Sequence, residues 1–183
     1  METPQPQQTA TPEKTLHLIY SPEAIHEKVS QLAASIDASY PDGDLVILGC
    51  LNSAFMFTSD LVKLIKRKVI VDFIGFSSYS DNTVSDKISM TKDVKVNLTG
   101  KHIVVIEDCC DSGRTARVLL KYLAEKQPKS LEMNVLLGNP KLDYSTFGYK
   151  INYFWAMDGK WYVGYGMDNN EIDRNLPYIG YLE

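Results

Sequence analysis

Apolar residues recur along this chain in two rhythms, short unbroken runs and longer stretches at helical spacing. Leu45-Val46-Ile47-Leu48 is a continuous run, as expected for a strand covered on both faces. Residues 69–76, 101–106 and 131–137 read as further strands. Between them lie helical patterns. Ser21-Pro22-Glu23 supplies a capping hydroxyl and a proline suited to a first helical turn. Ile25, Val29, Leu32, Ala33 and Ile36 then recur on one face. A second helix is predicted from about 54 to 66 and a third from about 111 to 125, while Pro41-Asp42-Gly43 marks a turn. This alternation predicts an α/β fold with a mainly parallel twisted sheet flanked by helices. Strand-like pieces at 152–156, 161–165 and 178–182 suggest a small extra lobe beside it.

Two segments break the rhythm. Residues 1–13, rich in Pro, Gln and Thr, are expected to form a disordered tail ahead of a domain spanning 14–183. Residues 77–92 (SSYSDNTVSDKISMTK) are polar without a dominant period and read as a long mobile loop, a length that usually signals function.

Charge narrows the function classes. Lys plus Arg number 19 and Asp plus Glu 23, for a net charge of −4. Proteins that coat nucleic acid need a basic face, so a nucleic-acid partner is not expected. A small phosphorylated ligand remains compatible, because one local site suffices. No apolar run approaches the roughly 20 residues a bilayer demands, so no membrane partner is expected. The opening METPQPQQTATPEK has no apolar core, so no signal peptide is expected. Three cysteines, Cys50, Cys109 and Cys110, point to a reducing, cytoplasmic location and to small buried apolar residues.

The densest chemistry lies in HIVVIEDCCDSGRTARVLL, residues 102–120. An apolar strand leads into Glu107-Asp108, followed by Asp111-Ser112-Gly113-Arg114-Thr115 and a helix. In open α/β sheets, ligands bind at the carboxyl ends of strands. Gly113 permits close backbone approach, Ser112 and Thr115 offer hydroxyls, and the helix start presents free N–H groups to an anion. Two adjacent acids suit ribose hydroxyls or Mg²⁺ held partly through water. Acid-and-hydroxyl turns also cap ordinary helices. The full spacing is what singles this run out.

That run resembles the signature of the type I phosphoribosyltransferases: an apolar strand, two acids, two small or apolar residues, then Asp-Thr-Gly-x-Thr, with Ser112 here in place of the first Thr. Further segments, spread over about residues 20–182, resemble the 6-oxopurine branch, the hypoxanthine-guanine (and xanthine) phosphoribosyltransferases. Leu51-Asn52-Ser53 stands where that family has its pyrophosphate loop, often Leu-Lys-Gly, so a positive charge is absent here. Ser78-Tyr79 resembles the Ser-Tyr pair of the catalytic loop. Lys141 is similar to the lysine that reads the purine's exocyclic oxygen, and 161–168 (WYVGYGMD) resembles the purine-stacking segment. Arg174 matches an arginine that contacts pyrophosphate.

The resemblance implies a type I phosphoribosyltransferase fold, with a hood lobe built from the N- and C-terminal segments. It implies Mg²⁺-dependent transfer of a phosphoribosyl group from 5-phosphoribosyl-1-pyrophosphate (PRPP) to N9 of a 6-oxopurine, in purine salvage. By the same resemblance, residues 111–115 cradle the 5′-phosphate, and Glu107 and Asp108 hold ribose hydroxyls and the metal shell. Asp111 is the candidate general base. Trp161 stacks on the purine, with Tyr162, the Val163 backbone and Asp168 around its edge. Asp168 also serves a second Mg²⁺, Asn52, Ser53 and Arg174 meet pyrophosphate, and residues 77–92 close as a lid with Ser78 and Tyr79. A homodimer or homotetramer is implied. Two alternatives stand beside this reading: a non-catalytic PRPP or nucleotide sensor of the same fold, and a transferase for another base such as adenine.

Overall fold

The computed structural model describes residues 15–79 and 87–183. The predicted tail at 1–13 and the middle of the predicted lid lie outside the described residues.

The first helix, α1 (Pro22–Ser39), begins where its cap does: the Ser21 side chain accepts from the Ala24 N–H at 3.3 Å. Ile25, Val29, Leu32, Ala33 and Ile36 are buried, the face the periodicity predicted. Strand β2 (Leu45–Leu51) follows, after β1 (Leu16–Tyr20) has opened the described chain. Helix α2 (Phe55–Leu64) ends when Ile65 turns extended, and Asp37 of α1 accepts the Lys66 and Arg67 backbone N–H groups just beyond. Strands β3 (Ile70–Tyr79) and β4 (Lys87–Lys92) come next, then β5 (His102–Cys110), α3 (Arg114–Ala124) and β6 (Ser130–Gly138). A short 3-10 turn (Tyr144–Phe147) leads to β7 (Lys150–Ala156), β8 (Trp161–Val163) and β9 (Ile179–Leu182).

Six strands form the main sheet in the order β4-β3-β2-β5-β6-β7. All its neighbours pair parallel except β3 with β4. The central strands are apolar because both faces are covered. Val46, Ile47 and Leu48 of β2 and Ile103 to Ile106 of β5 have 0% exposure. Each such large side chain contributes about 1.5–3 kcal/mol relative to an exposed one. A separate antiparallel sheet, β1-β9-β8, brings the two ends of the chain together, as the expected hood requires.

Several expectations need correction. Residues 77–79 and 87–92 are not loop. They extend β3 and form β4, an edge hairpin with Phe76 opposite Met90 and Ser77 opposite Ser89. An edge strand with one exposed face needs little apolar periodicity, which is why this stretch read as loop. The piece at 152–156 belongs to the main sheet as β7, not to the extra lobe. Strand β5 runs on through Glu107 and Asp108 to Cys110, and α3 starts only at Arg114. The piece at 161–165 is strand only to Val163, because Tyr165 turns to φ 50. Cys50 and Cys110 are buried as expected, whereas Cys109 is exposed.

Candidate active site

After β2 the chain crosses to β3 on one side, while β5 pairs on the other. The carboxyl ends of β2 and β5 thus flank a topological switch point, where open α/β sheets bind ligands. A cavity of about 240 Å³ opens there, between Cys50, Leu51 and Ser53 around the end of β2, Glu107 and Asp108 of β5, and Thr115 of α3. The Leu51–Asn52 peptide is cis.

Beside it lies a smaller cavity of about 150 Å³, lined by Asp111, Ser112, Gly113 and Thr115. Gly113 caps α3 with φ 73, in the left-handed region, and an added Cβ would come within 2.6 Å of the Phe147 ring. Glycine is required there on both counts. Arg117 lies 3.9 Å over the same ring and bonds Thr146, so the 3-10 turn supports the loop from below. The first turn of α3 leaves its N–H groups without helical acceptors, an arrangement suited to an anion.

Glu107 is electrostatically unlike an ordinary surface carboxylate. Burial, and then the adjacent Asp108 charge, push the Glu107 carboxyl well above the usual range. Its Oε1 accepts from the Asp108 N–H at 3.1 Å. Burial also pushes the Cys50 thiol up, with Glu107 beside it adding to the effect. Among the described residues no group of three His, Cys, Asp or Glu could enclose a metal ion. Two carboxylates with water and phosphate oxygens are nevertheless the usual setting for Mg²⁺. Glu107 and Asp108 fit that donor chemistry.

Asp111 sits between this cradle and a third cavity of about 470 Å³. On the far wall are Met157, Lys160, Trp161, Tyr162, Met167 and Asp168. Trp161 is 58% exposed, so its ring is open to a planar ligand. Tyr162 donates to Asp158 at 2.6 Å. Val163 is buried as a whole residue and does not line this cavity. Lys160 pairs with Asp158 at 2.8 Å and lies 4.4 Å over the Tyr181 ring.

Not every predicted residue converges on the cleft. Lys141 is exposed and lines none of these three cavities, and its backbone N–H donates to Asn139. Arg174 pairs with Asp168 at 2.9 Å and Glu171 at 3.1 Å, and donates to the Gly166 carbonyl at 2.9 Å. It braces the segment carrying Asp168. Asn52 lies in the turn after β2, next to Ser53 on the cavity wall. Ser78 and Tyr79 belong to the backbone of β3, and their side chains lie outside the described structure.

Sequence reasoning missed two features. Gly166 has φ 102, and an added Cβ would collide with the Ser53 carbonyl, so the hood touches the turn after β2. Asn139 donates to the Asp111 carbonyl at 3.1 Å and carboxylate at 3.2 Å. An Asn-Pro pair directly after a buried strand was the signal available for the second.

Comparison with known proteins agrees with this geometry. The phosphoribosyl transferase domain family matches residues 19–168. The hypoxanthine-guanine phosphoribosyltransferase of Aquifex aeolicus is 35% identical over 172 residues, covering 93% of this chain and 96% of that protein. The Bacillus subtilis enzyme of the same name is also 35% identical, covering 91% and 92%. In the bifunctional TilS/HprT protein of Listeria innocua, 32% identical, the match spans only 26% of the relative's length. A Bacillus anthracis hypoxanthine-guanine phosphoribosyltransferase crystal structure superposes with a TM-score of 0.83 at 35% identity, over 93% of this chain and 100% of that one. A cradle after β5, an acidic pair, a base-sized cavity and these relatives converge: the chain belongs to the hypoxanthine-guanine phosphoribosyltransferase family, enzymes of the type I phosphoribosyltransferase fold.

Proposed function

We propose that this chain transfers the 5-phosphoribosyl group of PRPP to N9 of hypoxanthine or guanine, with xanthine as a third candidate base, in a Mg²⁺-dependent reaction. The products are the purine nucleoside 5′-monophosphate and pyrophosphate. The observation that carries this reading is that three cavities share walls among Glu107, Asp108, Cys109 and Asp111, one suited to phosphate, one to ribose and pyrophosphate, one to a planar base.

Residues 111–115, Arg114 among them, hold the 5′-phosphate. Glu107 and Asp108 hold the ribose hydroxyls, and with Asp168 they are the carboxylates for Mg²⁺. Bound there, the cation would offset the charge on the leaving pyrophosphate. Ser53 on the cavity wall and Asn52 beside it are assigned to that group, Arg174 acts on it through the Asp168 it braces, and Ser78 and Tyr79 belong to the strand that borders it. Positive charge develops at C1′ as the bond to pyrophosphate breaks, and exclusion of water protects that state. Asp111 accepts or shares the purine proton from the wall of the base cavity. Trp161 stacks on the ring. Lys141 donates to the base's exocyclic oxygen: it follows Asn139 by two residues, and Asn139 touches Asp111. Lys160, nearer the wall, is already neutralised by Asp158. Three free thiols agree with a reducing cytoplasm, and the active form is proposed to be a homodimer or homotetramer.

A base panel tests the reaction. Purified protein, PRPP and Mg²⁺ are mixed separately with hypoxanthine, guanine, xanthine, adenine and uracil, and each monophosphate is quantified. Turnover with hypoxanthine or guanine is expected. PRPP binding without turnover on any base would favour a sensor, and a preference for adenine would reassign the base.

A further inference from the structure

Asp111 stands on the loop after β5, and a side chain from the neighbouring strand end grips it. Asn139 directly follows β6, 28 positions away. Its Nδ2 donates to the Asp111 carbonyl at 3.1 Å and to carboxylate Oδ1 at 3.2 Å. The amide's orientation is set from its other end, where Oδ1 accepts the Lys141 backbone N–H at 3.0 Å. Turned over, the amide would oppose donor to donor at Lys141 and acceptor to acceptor at Asp111. The backbone of Asn139 is pinned as well. Its N–H donates to the Cys110 carbonyl at 3.0 Å, and its carbonyl accepts from the Tyr144 hydroxyl at 3.1 Å.

Resting on the reading of Asp111 as the carboxylate that serves the base, we propose that Asn139 is a positioning residue: it holds the Asp111 carboxylate at the base cavity during phosphoribosyl transfer. A neutral amide suits this role. It fixes the direction of the carboxylate, yet adds no full positive charge that would compete with the proton the carboxylate receives. Misplacing a reacting group by about 1 Å costs far more in turnover than in substrate affinity.

Two variants separate positioning from fold. Asn139→Asp is nearly isosteric, keeps an acceptor for Lys141, and replaces the donor facing Asp111 with an oxygen. Asn139→Ala removes both groups. In each, kcat is expected to fall about tenfold or more, while KM for PRPP stays within about twofold. In an Asp111→Asn background, neither substitution is expected to lower kcat further, because the carboxylate it positions is gone. Thermal melts accompany every variant, and if Asn139→Ala does not fold, Asn139→Asp carries the comparison. Wild-type kcat in Asn139→Asp, a change confined to KM, or equal losses in both backgrounds would overturn the positioning role and leave the Asp111 reading standing. Undiminished turnover in Asp111→Asn alone would overturn that reading, and the role of Asn139 with it.

Discussion

Glu107 shows how one residue's setting differs from its sequence neighbourhood. It is adjacent to Asp108, and burial and that neighbour both raise its carboxyl pKa. With the folded value above the unfolded one, folding favours the protonated form. The stability this group contributes is present below the ordinary 4.5 and is lost as pH rises toward the raised value. Glu107→Gln removes that loss. The melting temperature of the ligand-free variant should therefore gain on wild type as pH rises above the ordinary 4.5, in thermal scans run from pH 4.5 to pH 8. A constant gap across that range would show that Glu107 is not raised. The two lysines on the base side are a second case. Lys141→Ala should weaken preference for 6-oxopurines over adenine by about tenfold, the scale of one lost charged hydrogen bond. Lys160→Ala should leave that preference unchanged, since Asp158 already occupies its ammonium. Competition assays with hypoxanthine and adenine read both, and the opposite pattern would move the base-reading cation to Lys160.

At the scale of elements, the site is a meeting of strand ends with a hood. Gly166 marks the contact, because its backbone lies against the Ser53 carbonyl in a conformation L side chains rarely adopt. Tyr165 reinforces it from the adjacent position, donating to Asp60 of α2 at 2.9 Å. Gly166→Ala combines collision with backbone strain, about 1–3 kcal/mol. The melting temperature should drop by about 2–4 °C per kcal/mol. Because Ser53 must move, KM for PRPP should rise by about tenfold, more than KM for the base. Steady-state kinetics with each substrate varied in turn would check it. Equal change in the two KM values would mean that the hood and the turn after β2 are not coupled. The elements also show where sequence patterns lose power. Strand β1 has no run to announce it, since LHLIY is largely exposed or half-buried and pairs only with the far end of the chain. The β3–β4 hairpin read as loop because an edge exposes one face to water. Helix α1 was legible nearly to the residue, because its cap and its apolar stripe are both local.

For the molecule as a whole, sequence by itself determined what depends on contiguous residues. The buried strand runs, the α/β alternation and the run from Glu107 to Thr115 are each written within a few positions of one another. Their physics is local: apolar runs demand cover on both faces, and Gly113 permits its turn. Only the tertiary structure decided what depends on residues far apart. It brought the end of β2 beside the end of β5 and joined β1 to β9. It set Gly166 against Ser53 and Asn139 against Asp111, and left Lys141 off the cavity wall while placing Lys160 on it. Such contacts follow from sheet order and from the path of connections, and a side chain's type does not encode which distant strand end it will face.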